Sequence, residues 1–254
     1  MSKISLRQRL NQNELVIGAF MKCSDPCVAE LLGESGLDFF VLDNEHVSLN
    51  KENITNIIRA AQLYDISPIV RVMKNEQSNI LQALDSGAAG IQVPNVDTGE
   101  QAQELQSYAK YFPIGSRGFS PNVRAAKYGS IGINEYIDWA NQNTLVVAHI
   151  ETVEGYKNLE DILKVEAIDT IFIGPMDLSQ SFGFVGETEN PILVECVKDI
   201  TKRALAAGKS VGTVCAVANL TKYVEMGMRY LLVGNDQSAI LNHFKSVVRQ
   251  VKEG

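Results

Sequence analysis

Ionisable side chains stand at the ends of several short apolar runs in this sequence. They occur at residues 43–46, at Arg71, at residues 149–151 and at residues 174–177. Parallel strands of an α/β fold present their carboxyl ends at one edge, and ligands bind there. If the runs are such strands, the sequence predicts one active site formed by these polar groups.

Two of these groups, Glu151 and Asp177, are carboxylates at equivalent ends of neighbouring runs. Carboxylates on one side of a divalent cation, with water or substrate oxygens on the other, suit Mg²⁺ or Mn²⁺, and such ligands also accept Co²⁺ or Zn²⁺. Carboxylates at strand ends also cap helices or pair with a guanidinium such as that of Arg71. Spacing alone does not choose between a metal site and these structural roles.

His46 and Arg71 are the residues that could assist bond cleavage. An imidazole titrates near neutral pH, so His46 could act as a general base, although a loop histidine is more often an ordinary surface residue. Arg71 ends an apolar run, where an unpaired guanidinium is costly, so we expect it to meet an anion of the protein or of a ligand. No lysine is predicted inside a strand near these groups, which disfavours a Schiff-base mechanism.

Eight apolar, β-rich runs alternate with segments of helical period, which is the pattern of parallel strands joined by crossover helices. The 254 residues suit a (β/α)8 TIM barrel, which commonly needs about 250. We predict one barrel domain over residues 1–254, with a long loop excursion at 111–143 that is a candidate substrate lid, and a C-terminal helix at 237–251. The predicted strands are 16–20, 39–42, 68–72, 90–93, 145–150, 170–173, 209–214 and 230–233.

Composition limits the partners and the compartment. Lys and Arg number 23 against 30 Asp and Glu, and the net charge of -7 disfavours nucleic acid. No apolar run approaches the ~20 residues that span a bilayer, and the first residues lack a secretory signal, so we expect a cytoplasmic protein without a membrane partner. The four cysteines are too few for a disulfide scaffold, and Cys23 with Cys27 supplies only half of a zinc site.

Six motifs, in order along the chain, resemble those of the class II pyruvate-dependent aldolases of the HpcH/HpaI aldolase family. That family includes 4-hydroxy-2-oxoheptanedioate, 2-dehydro-3-deoxyglucarate and 2-keto-3-deoxy-L-rhamnonate aldolases. The resemblance implies a barrel of the phosphoenolpyruvate/pyruvate type and reversible cleavage of a 4-hydroxy-2-oxo acid into pyruvate and an aldehyde. The motifs are residues 43–46, Arg71, and residues 83–87, 117–119, 150–152 and 172–179.

The resemblance also implies roles for individual residues. Glu151 and Asp177 would bind the divalent metal, and His46 would be the base. Arg71 would stabilise the transition state, and Asp85 would raise the basicity of His46. Family members are typically hexamers, which implies a homo-oligomer. The substrate would be bound by Arg71, His149, Gly174, Pro175, Met176 and Asp177.

Two positions depart from the family pattern, since His149 stands where Gln is usual and Phe20 where Trp is common. His149 could hydrogen-bond the substrate, or add a third metal ligand that favours zinc. Asp85 precedes the fourth strand, so it belongs at the opposite end of a barrel from His46. Either Asp85 of a neighbouring subunit or Asp43 of the same chain could then be the partner of His46.

Three other functions stay open. A CoA-ester lyase of the citrate lyase type would share the barrel and the metal carboxylates, and an enzyme acting on phosphoenolpyruvate would share the enolate chemistry. A non-catalytic oligomeric binding protein would be expected to have lost some metal-binding or basic residues, and all of them are present. The sequence does not identify the aldehyde product, because loops recognise that part of the substrate.

Overall fold

Eight parallel β-strands close into a barrel in chain order, with β8 paired to β1. The structure is a computed structural model that describes residues 4–253. The closed barrel with alternating helices confirms the predicted (β/α)8 fold. The strands are β1 (Val16–Met21), β2 (Phe39–Asp43), β3 (Ser67–Arg71), β4 (Gly90–Val93), β5 (Leu145–Ile150), β6 (Thr170–Ile173), β7 (Ser210–Val214) and β8 (Tyr230–Asn235).

Helices follow the strands and cover the outside of the barrel. The connection from β5 to β6 contains two short helices, and the Asn158 side chain at their junction donates to the carbonyl of Asp97 (2.8 Å). Among the described helices, none combines the length and the apolar character that a membrane span needs. The helices are α1 (Leu6–Asn11), α2 (Pro26–Glu34), α3 (Lys51–Ala61), α4 (Gln77–Asp85), α5 (Gly99–Ala109), α6 (Ile133–Asn143), α7 (Val153–Lys157), α8 (Leu159–Leu163), α9 (Pro175–Ser181), α10 (Pro191–Ala206), α11 (Leu220–Glu225) and α12 (Asp236–Glu253).

Large aromatic side chains fill the inside of the barrel. The rings of Phe39 and Tyr230 are stacked with centroids 4.3 Å apart, and Phe172 meets Tyr230 edge to face. Space for Tyr230 requires a glycine on β7, since a Cβ at Gly212 would lie 2.1 Å from the Tyr230 carbonyl oxygen. The barrel is therefore a packed core below its carboxyl end, and polar chemistry is confined to that end.

The segment 111–143 contains regular structure, although the sequence predicted a loop. It includes a 3₁₀ segment (Arg124–Gly129) and α6, and the buried rings of Tyr111 and Tyr136 pack edge to face at 6.0 Å in a small apolar cluster of its own. A start rich in Gly, Pro and Ser hides the helical period that follows it.

Within one chain, this segment does not cover the predicted site as a lid would. The segment follows α5, which has already returned the chain to the amino end of the barrel. Arg117 pairs with Asp85 at the end of α4 (2.6 Å), and Arg124 donates to the carbonyl of Ser86 (3.0 Å). Thr144 then leads directly into β5. The segment thus lies opposite the strand ends that carry the predicted site.

A buried lysine fastens the two ends of this segment together. The Lys110 side chain is 1% exposed, and its Nζ donates to the carbonyls of Asn141 (3.1 Å) and Thr144 (2.8 Å). The Asn141 side chain also accepts from the Tyr111 N–H (2.8 Å). Burial lowers the pKa of Lys110 to about 8, since few charges offset the loss of water.

The last helix, α12, has an anchored start and an uncovered remainder. The Asp236 carboxylate accepts from the backbone N–H groups of Lys22 (3.0 Å) and Cys23 (2.8 Å), which ties the helix to the end of β1. From Gln237 to Lys252 every side chain is exposed, in spite of an apolar stripe. The exposed apolar residues are Ile240, Leu241, Phe244, Val247, Val248 and Val251.

The buried amine predicts a rise in stability under alkaline conditions. The folded chain releases the Lys110 proton near pH 8, whereas the unfolded chain keeps it to about 10.4. Between these values the unfolded state binds more protons, so the free energy of unfolding gains about 1.4 kcal/mol per pH unit from this group. We expect denaturant unfolding from pH 7 to 10 to show this gain, relative to a Lys110→Met variant. Parallel pH profiles for the two proteins would contradict it.

Candidate active site

A cavity of about 350 Å³ opens at the carboxyl ends of the strands. It brings together the segments that follow β2, β4, β5 and β6, as expected for a barrel in which these ends share one face. The predicted metal ligands and the predicted base all lie on its wall. The lining residues are Glu45, His46, Asn95, Glu151, Thr152, Asp177, Gln180 and Ser181.

An ion-pair network centred on Arg71 forms the floor beside this cavity. Asp43 and Arg71 are register partners on β2 and β3, and Arg71 donates to both Asp43 oxygens through Nε (3.1 Å) and Nη2 (2.8 Å). Its Nη1 lies 3.2 Å from Glu45, and the guanidinium covers the Phe20 ring at 4.7 Å. The Lys22 Nζ lies 3.5 Å from Asp43. The anion expected for Arg71 is therefore, at least in part, a pair of protein carboxylates.

The two carboxylates of this network have opposite pKa shifts. Burial alone would raise the pKa of Asp43, but the Arg71 guanidinium and the backbone N–H of His46 outweigh it and the pKa is lowered. Burial raises the pKa of Glu45, because Arg71 touches it less closely and the Glu151 carboxylate adds like charge. Two neighbouring carboxylates thus differ in how readily they take up a proton.

The Glu151 carboxylate is buried and held on both oxygens. Oε1 accepts from the backbone N–H of Asn95 (2.8 Å), and Oε2 lies 2.9 Å from Nδ1 of His149. Burial would raise the pKa of Glu151, but His149, the Asn95 N–H and Arg71 outweigh it and the pKa is lowered. The carboxylate also needs Gly174 opposite, since a Cβ there would lie 2.8 Å from Oε2.

His149 lies inside the barrel mouth and not on the cavity surface. Its side chain is 1% exposed, and its ring faces Phe172 with centroids 4.7 Å apart. Nδ1 faces Glu151, so the tautomer that donates to this carboxylate carries its proton on Nδ1. Nε2 is buried without a hydrogen-bond partner, as is Nε2 of Gln92, whose amide oxygen accepts from Tyr230 (3.2 Å).

His46 is accessible, and Asp85 is far from it within one chain. The His46 side chain is 54% exposed, and its Nε2 lies 3.8 Å from Glu45. Asp85 ends α4, ahead of β4, and is ion-paired with Arg117 (2.6 Å) at the amino end of the barrel. Asp43, the other expected partner, accepts from the His46 backbone N–H (3.1 Å). The carboxylate nearest the imidazole is that of Glu45.

The second predicted metal ligand lies in the first turn of a helix. Gly174 and Pro175 begin α9, and the Asp177 side chain is exposed on the same cavity that Glu151 lines. Met176, beside it, exposes 53% of its surface. In the described residues no three His, Cys, Asp or Glu side chains form a ready-made metal cluster.

These donors fit a hard divalent cation. Two carboxylates on the wall of an open cavity leave most coordination positions to water or substrate oxygens, which Mg²⁺ and Mn²⁺ accept. The pKa of Glu151 is lowered, so the ionised form that binds a cation is favoured even without one. Zinc, which prefers three or four nitrogen or sulfur ligands, fits this set less well.

Several residues that line this cavity or contact its carboxylates could not be identified from the sequence. Asn95 follows β4 with a positive φ of 53°, and its backbone N–H donates to Glu151. A backbone N–H is not specific to a residue type, so this role could not be predicted from the sequence. Gln180 and Ser181 end α9 and are ordinary polar residues of a helix. Thr152 follows Glu151 directly and was discoverable from its place at a strand end.

Comparisons with known proteins found a matching family, similar sequences and similar solved structures. The family described as HpcH/HpaI aldolase/citrate lyase matches residues 16–242. A hydroxypyruvate/pyruvate aldolase of Pseudomonas aeruginosa is 33% identical over 98% of this chain and 92% of its own length. A 2-keto-3-deoxy-L-rhamnonate aldolase of Shigella boydii is 32% identical over 91% of this chain and 86% of its own. The crystal structure of the citrate synthase SbnG is 33% identical and covers 99% of this chain and 98% of its own, with a TM-score of 0.91.

The Arg71 network predicts a large loss of stability when Asp43 is neutralised. Removing one partner of a buried ion pair costs about 3–5 kcal/mol, so Asp43→Asn should lower the free energy of unfolding by that order at pH 7. Because the pKa of Asp43 is lowered by folding, its contribution is present above about pH 4 and is lost as the pH falls further. The difference from wild type in denaturant unfolding should therefore shrink in acid.

The matched control is Asp161→Asn. Asp161 pairs with Lys164 on the surface, with 64% of its side chain exposed. Such pairs contribute about 1 kcal/mol or less. Equal losses from the two substitutions would contradict the assignment of a stabilising role to the buried network.

Proposed function

The chain belongs to the HpcH/HpaI aldolase/citrate lyase family and is a carbon–carbon lyase of the aldolase type, and on this basis we propose its substrate class and mechanism. The substrate is a 4-hydroxy-2-oxo acid of the 2-keto-3-deoxy sugar acid or 4-hydroxy-2-oxoheptanedioate type, cleaved reversibly to pyruvate and an aldehyde. One observation carries this proposal: Glu151, Asp177 and His46 line a single cavity whose wall includes Glu45, the partner of Arg71.

Glu151 and Asp177 would hold a divalent metal, Mg²⁺ or Mn²⁺ in the first place and Co²⁺ or Zn²⁺ as alternatives. When bound, such an ion supplies Lewis acidity to the carboxylate and 2-oxo oxygens of the substrate. Asn95 and His149 keep the Glu151 carboxylate ionised and oriented before any ligand arrives. This fixed arrangement lowers the cost of reorganisation during the reaction.

His46 acts as the base in this proposal. It takes the proton of the C4 hydroxyl, the C3–C4 bond breaks with its electron pair passing to C3, and the C4 fragment leaves as an aldehyde. The product at this stage is the enolate of pyruvate, which becomes pyruvate when C3 is protonated. The exposure of the His46 imidazole supports this role, because a base must reach both substrate and solvent.

Arg71 stabilises the negative charge that develops on the substrate. Its guanidinium is fixed by Asp43 and by the Phe20 ring, so it does not have to reorganise when that charge appears. Glu45 also contacts this guanidinium. The pKa of Glu45 is raised, so this carboxylate takes up a proton beside the substrate more readily than Asp43 does.

The start of α9 and His149 complete the substrate-binding set. Gly174, Pro175 and Met176 precede or flank Asp177, where the backbone of a helix start can face a carboxylate. For His149 the contact with Glu151 supports an orienting role, with Nε2 as the atom still free to meet a ligand or water. A metal-ligand role for His149 has less support, since Nδ1 already faces Glu151.

Asp85 requires a second copy of the chain to act on His46. The uncovered apolar stripe of α12 supports a homo-oligomer, because exposed apolar residues in a row are typical of an interface, and the family resemblance suggests a hexamer. Asp85 of a neighbouring subunit would then be the partner that raises the basicity of His46, with Asp43 as the alternative within the chain. A cytoplasmic location is proposed with it, on the sequence arguments alone.

The similarity to a citrate synthase supports a second candidate. Condensation of an acyl-CoA with a 2-oxo acid also passes through an enolate that Arg71 and a cavity of this kind could stabilise. This candidate predicts free CoA thiol from acetyl-CoA and oxaloacetate, and a thiol reagent detects it. Its absence alongside aldol cleavage would leave the aldolase as the function.

Pyruvate release measures the proposed reaction directly. Purified enzyme is given a panel of 4-hydroxy-2-oxo acids with Mg²⁺, Mn²⁺, Co²⁺ or EDTA, and pyruvate is coupled to lactate dehydrogenase. We expect pyruvate only with metal, and a fall in kcat/KM of at least about a hundredfold in His46→Gln, in line with the loss of a general base. Pyruvate at an equal rate in EDTA would contradict the metal-dependent mechanism.

Matched variants separate the proposed roles. Glu151→Gln keeps the size of the side chain but removes the charge, and should abolish turnover with every metal. Asp85→Asn should shift the pH dependence of kcat/KM if this carboxylate acts on His46, and an unchanged profile would remove Asp85 from the mechanism. No pyruvate from any substrate, with the fold intact by circular dichroism, would favour the CoA-ester lyase or a binding protein.

A further inference from the structure

A buried amide, that of Gln92, lies inside the barrel just below the candidate active site. Gln92 belongs to β4 and is 0% exposed. Its Oε1 accepts a hydrogen bond from the Tyr230 hydroxyl (3.2 Å), whereas its Nε2 is buried without a hydrogen-bond partner. A buried donor has lost its hydration, so the N–H group of this amide needs an acceptor nearby.

The imidazole of His149 offers the matching acceptor. When its proton is on Nδ1, which lies 2.9 Å from Oε2 of Glu151, the ring presents a lone pair at Nε2. This Nε2 is also buried without a hydrogen-bond partner. Gln92 therefore has a spare buried proton, and His149 has a spare buried lone pair.

The register of the sheet places these two side chains close together. Gln92 pairs with Val147 on β5, and His149 is two residues further along that strand, on the same face. This offset separates the Cα atoms of Gln92 and His149 by about 8 Å. The Phe172 ring connects their surroundings, since it meets Tyr230 edge to face with centroids 6.3 Å apart and lies 4.7 Å from the His149 ring.

Only one direction of hydrogen bonding uses every proton of these groups. The Tyr230 hydroxyl donates to Oε1 of Gln92, the Gln92 amide donates toward His149, and Nδ1 of His149 donates to Glu151. If the amide were turned over, its N–H group would point at the Tyr230 oxygen, and the hydroxyl proton would lose its acceptor. The amide carbonyl would then face Nε2 of His149 and favour a proton there, which leaves the Nδ1 lone pair against the Glu151 carboxylate.

Tyr230 is suited to begin this chain of hydrogen bonds because its position and its protonation state are both fixed. Its ring stacks on Phe39 with centroids 4.3 Å apart, and Gly212 leaves the space that it fills. Complete burial raises the pKa of Tyr230 well above its usual value, so the hydroxyl keeps its proton and stays a donor.

We propose that one buried water joins Nε2 of Gln92 to Nε2 of His149, and that Gln92 and Tyr230 are positioning residues for Glu151. The two nitrogens form no direct hydrogen bond, and a water can accept from the amide and donate to the imidazole. The chain of hydrogen bonds then runs in one direction from Tyr230 to Glu151 and holds His149 in the tautomer that donates to this carboxylate. Its effect on a metal ligand rests on the proposed function, whereas the chain itself belongs to the metal-free protein.

Nitrogen NMR of the histidine rings tests the chain of hydrogen bonds without metal or substrate. The protein has three histidines, and the signals of His149 are those that disappear in His149→Gln. In metal-free protein with ¹⁵N-labelled histidine, we expect His149 to carry its proton on Nδ1 and an unprotonated Nε2. Gln92→Met keeps the length of the side chain and removes the donor. It should move the Nε2 signal of His149 downfield, because the lone pair loses its hydrogen bond.

Mn²⁺ affinity tests whether this chain positions Glu151. Groups that hold a metal ligand by hydrogen bonds contribute about 10–100-fold to affinity, and we expect Gln92→Met to weaken Mn²⁺ binding by about tenfold. Tyr230→Phe keeps the ring but frees the amide to turn, so it should change both measurements in the same direction even if Gln92→Met misfolds. The matched control is Ser210→Ala, which removes another buried hydroxyl without a hydrogen-bond partner at the start of β7 and should change neither.

Three results would overturn the proposal. A proton on Nε2 of His149 in the wild type would show that the chain runs in the opposite direction. A His149 signal that is unchanged in folded Gln92→Met and Tyr230→Phe would remove Gln92 from the chain. A shifted signal with unchanged Mn²⁺ affinity would show that the chain does not position Glu151. If the wild type bound no Mn²⁺, the metal site of the proposed function would be contradicted, and the NMR signals would still decide whether the chain exists.

Discussion

One buried, ionised carboxylate, that of Glu151, is the constraint on which the mouth of the barrel is built. An isolated buried charge costs several kcal/mol, so its surroundings must replace the water that it loses. The Asn95 N–H and the His149 ring do so from two sides, and Arg71 contributes at longer range. Gly174 leaves the room that this carboxylate occupies. These four positions belong to segments around four strands, so the site depends on the closed barrel.

The second charged centre extends this arrangement to β2 and β3. Because Asp43 and Arg71 are register partners, the sheet itself brings the carboxylate and guanidinium side by side. Arg71 then has one strong partner in Asp43 and a weaker one in Glu45, and the two carboxylates have opposite pKa shifts. Burial and the distance to Arg71 therefore make Glu45 easier to protonate than Asp43, although both are carboxylates of one network.

Much of the fold could be predicted from the sequence, because buried parallel strands have a distinctive apolar pattern. The predicted strands 90–93, 145–150 and 170–173 have the bounds that the structure gives, since each is a nearly continuous apolar run between polar ends. The end of the barrel at which segment 111–143 lies could not be predicted, because it depends on α5, which returns the chain to the amino end before the segment begins. Its contacts, such as that of Arg117 with Asp85, join residues 32 positions apart.

Some residues of the candidate site could likewise be predicted from the sequence, and others could not. Glu151, Asp177 and His46 were found from their places after strands, because barrel topology alone brings such residues to one cavity. The role of Asn95 comes from its backbone, and the burial of His149 comes from its inward direction on β5, so residue type predicted neither.

Binding of Mn²⁺, followed by the loss of the electron paramagnetic resonance signal of the free ion, tests most directly whether Glu151 and Asp177 form the metal site. The account predicts one ion per chain in wild type, no measurable binding in Glu151→Gln, and affinity weakened by about 10–100-fold in His149→Ala, which removes only the group that orients Glu151. Equal Mn²⁺ affinity in wild type and Glu151→Gln would contradict it.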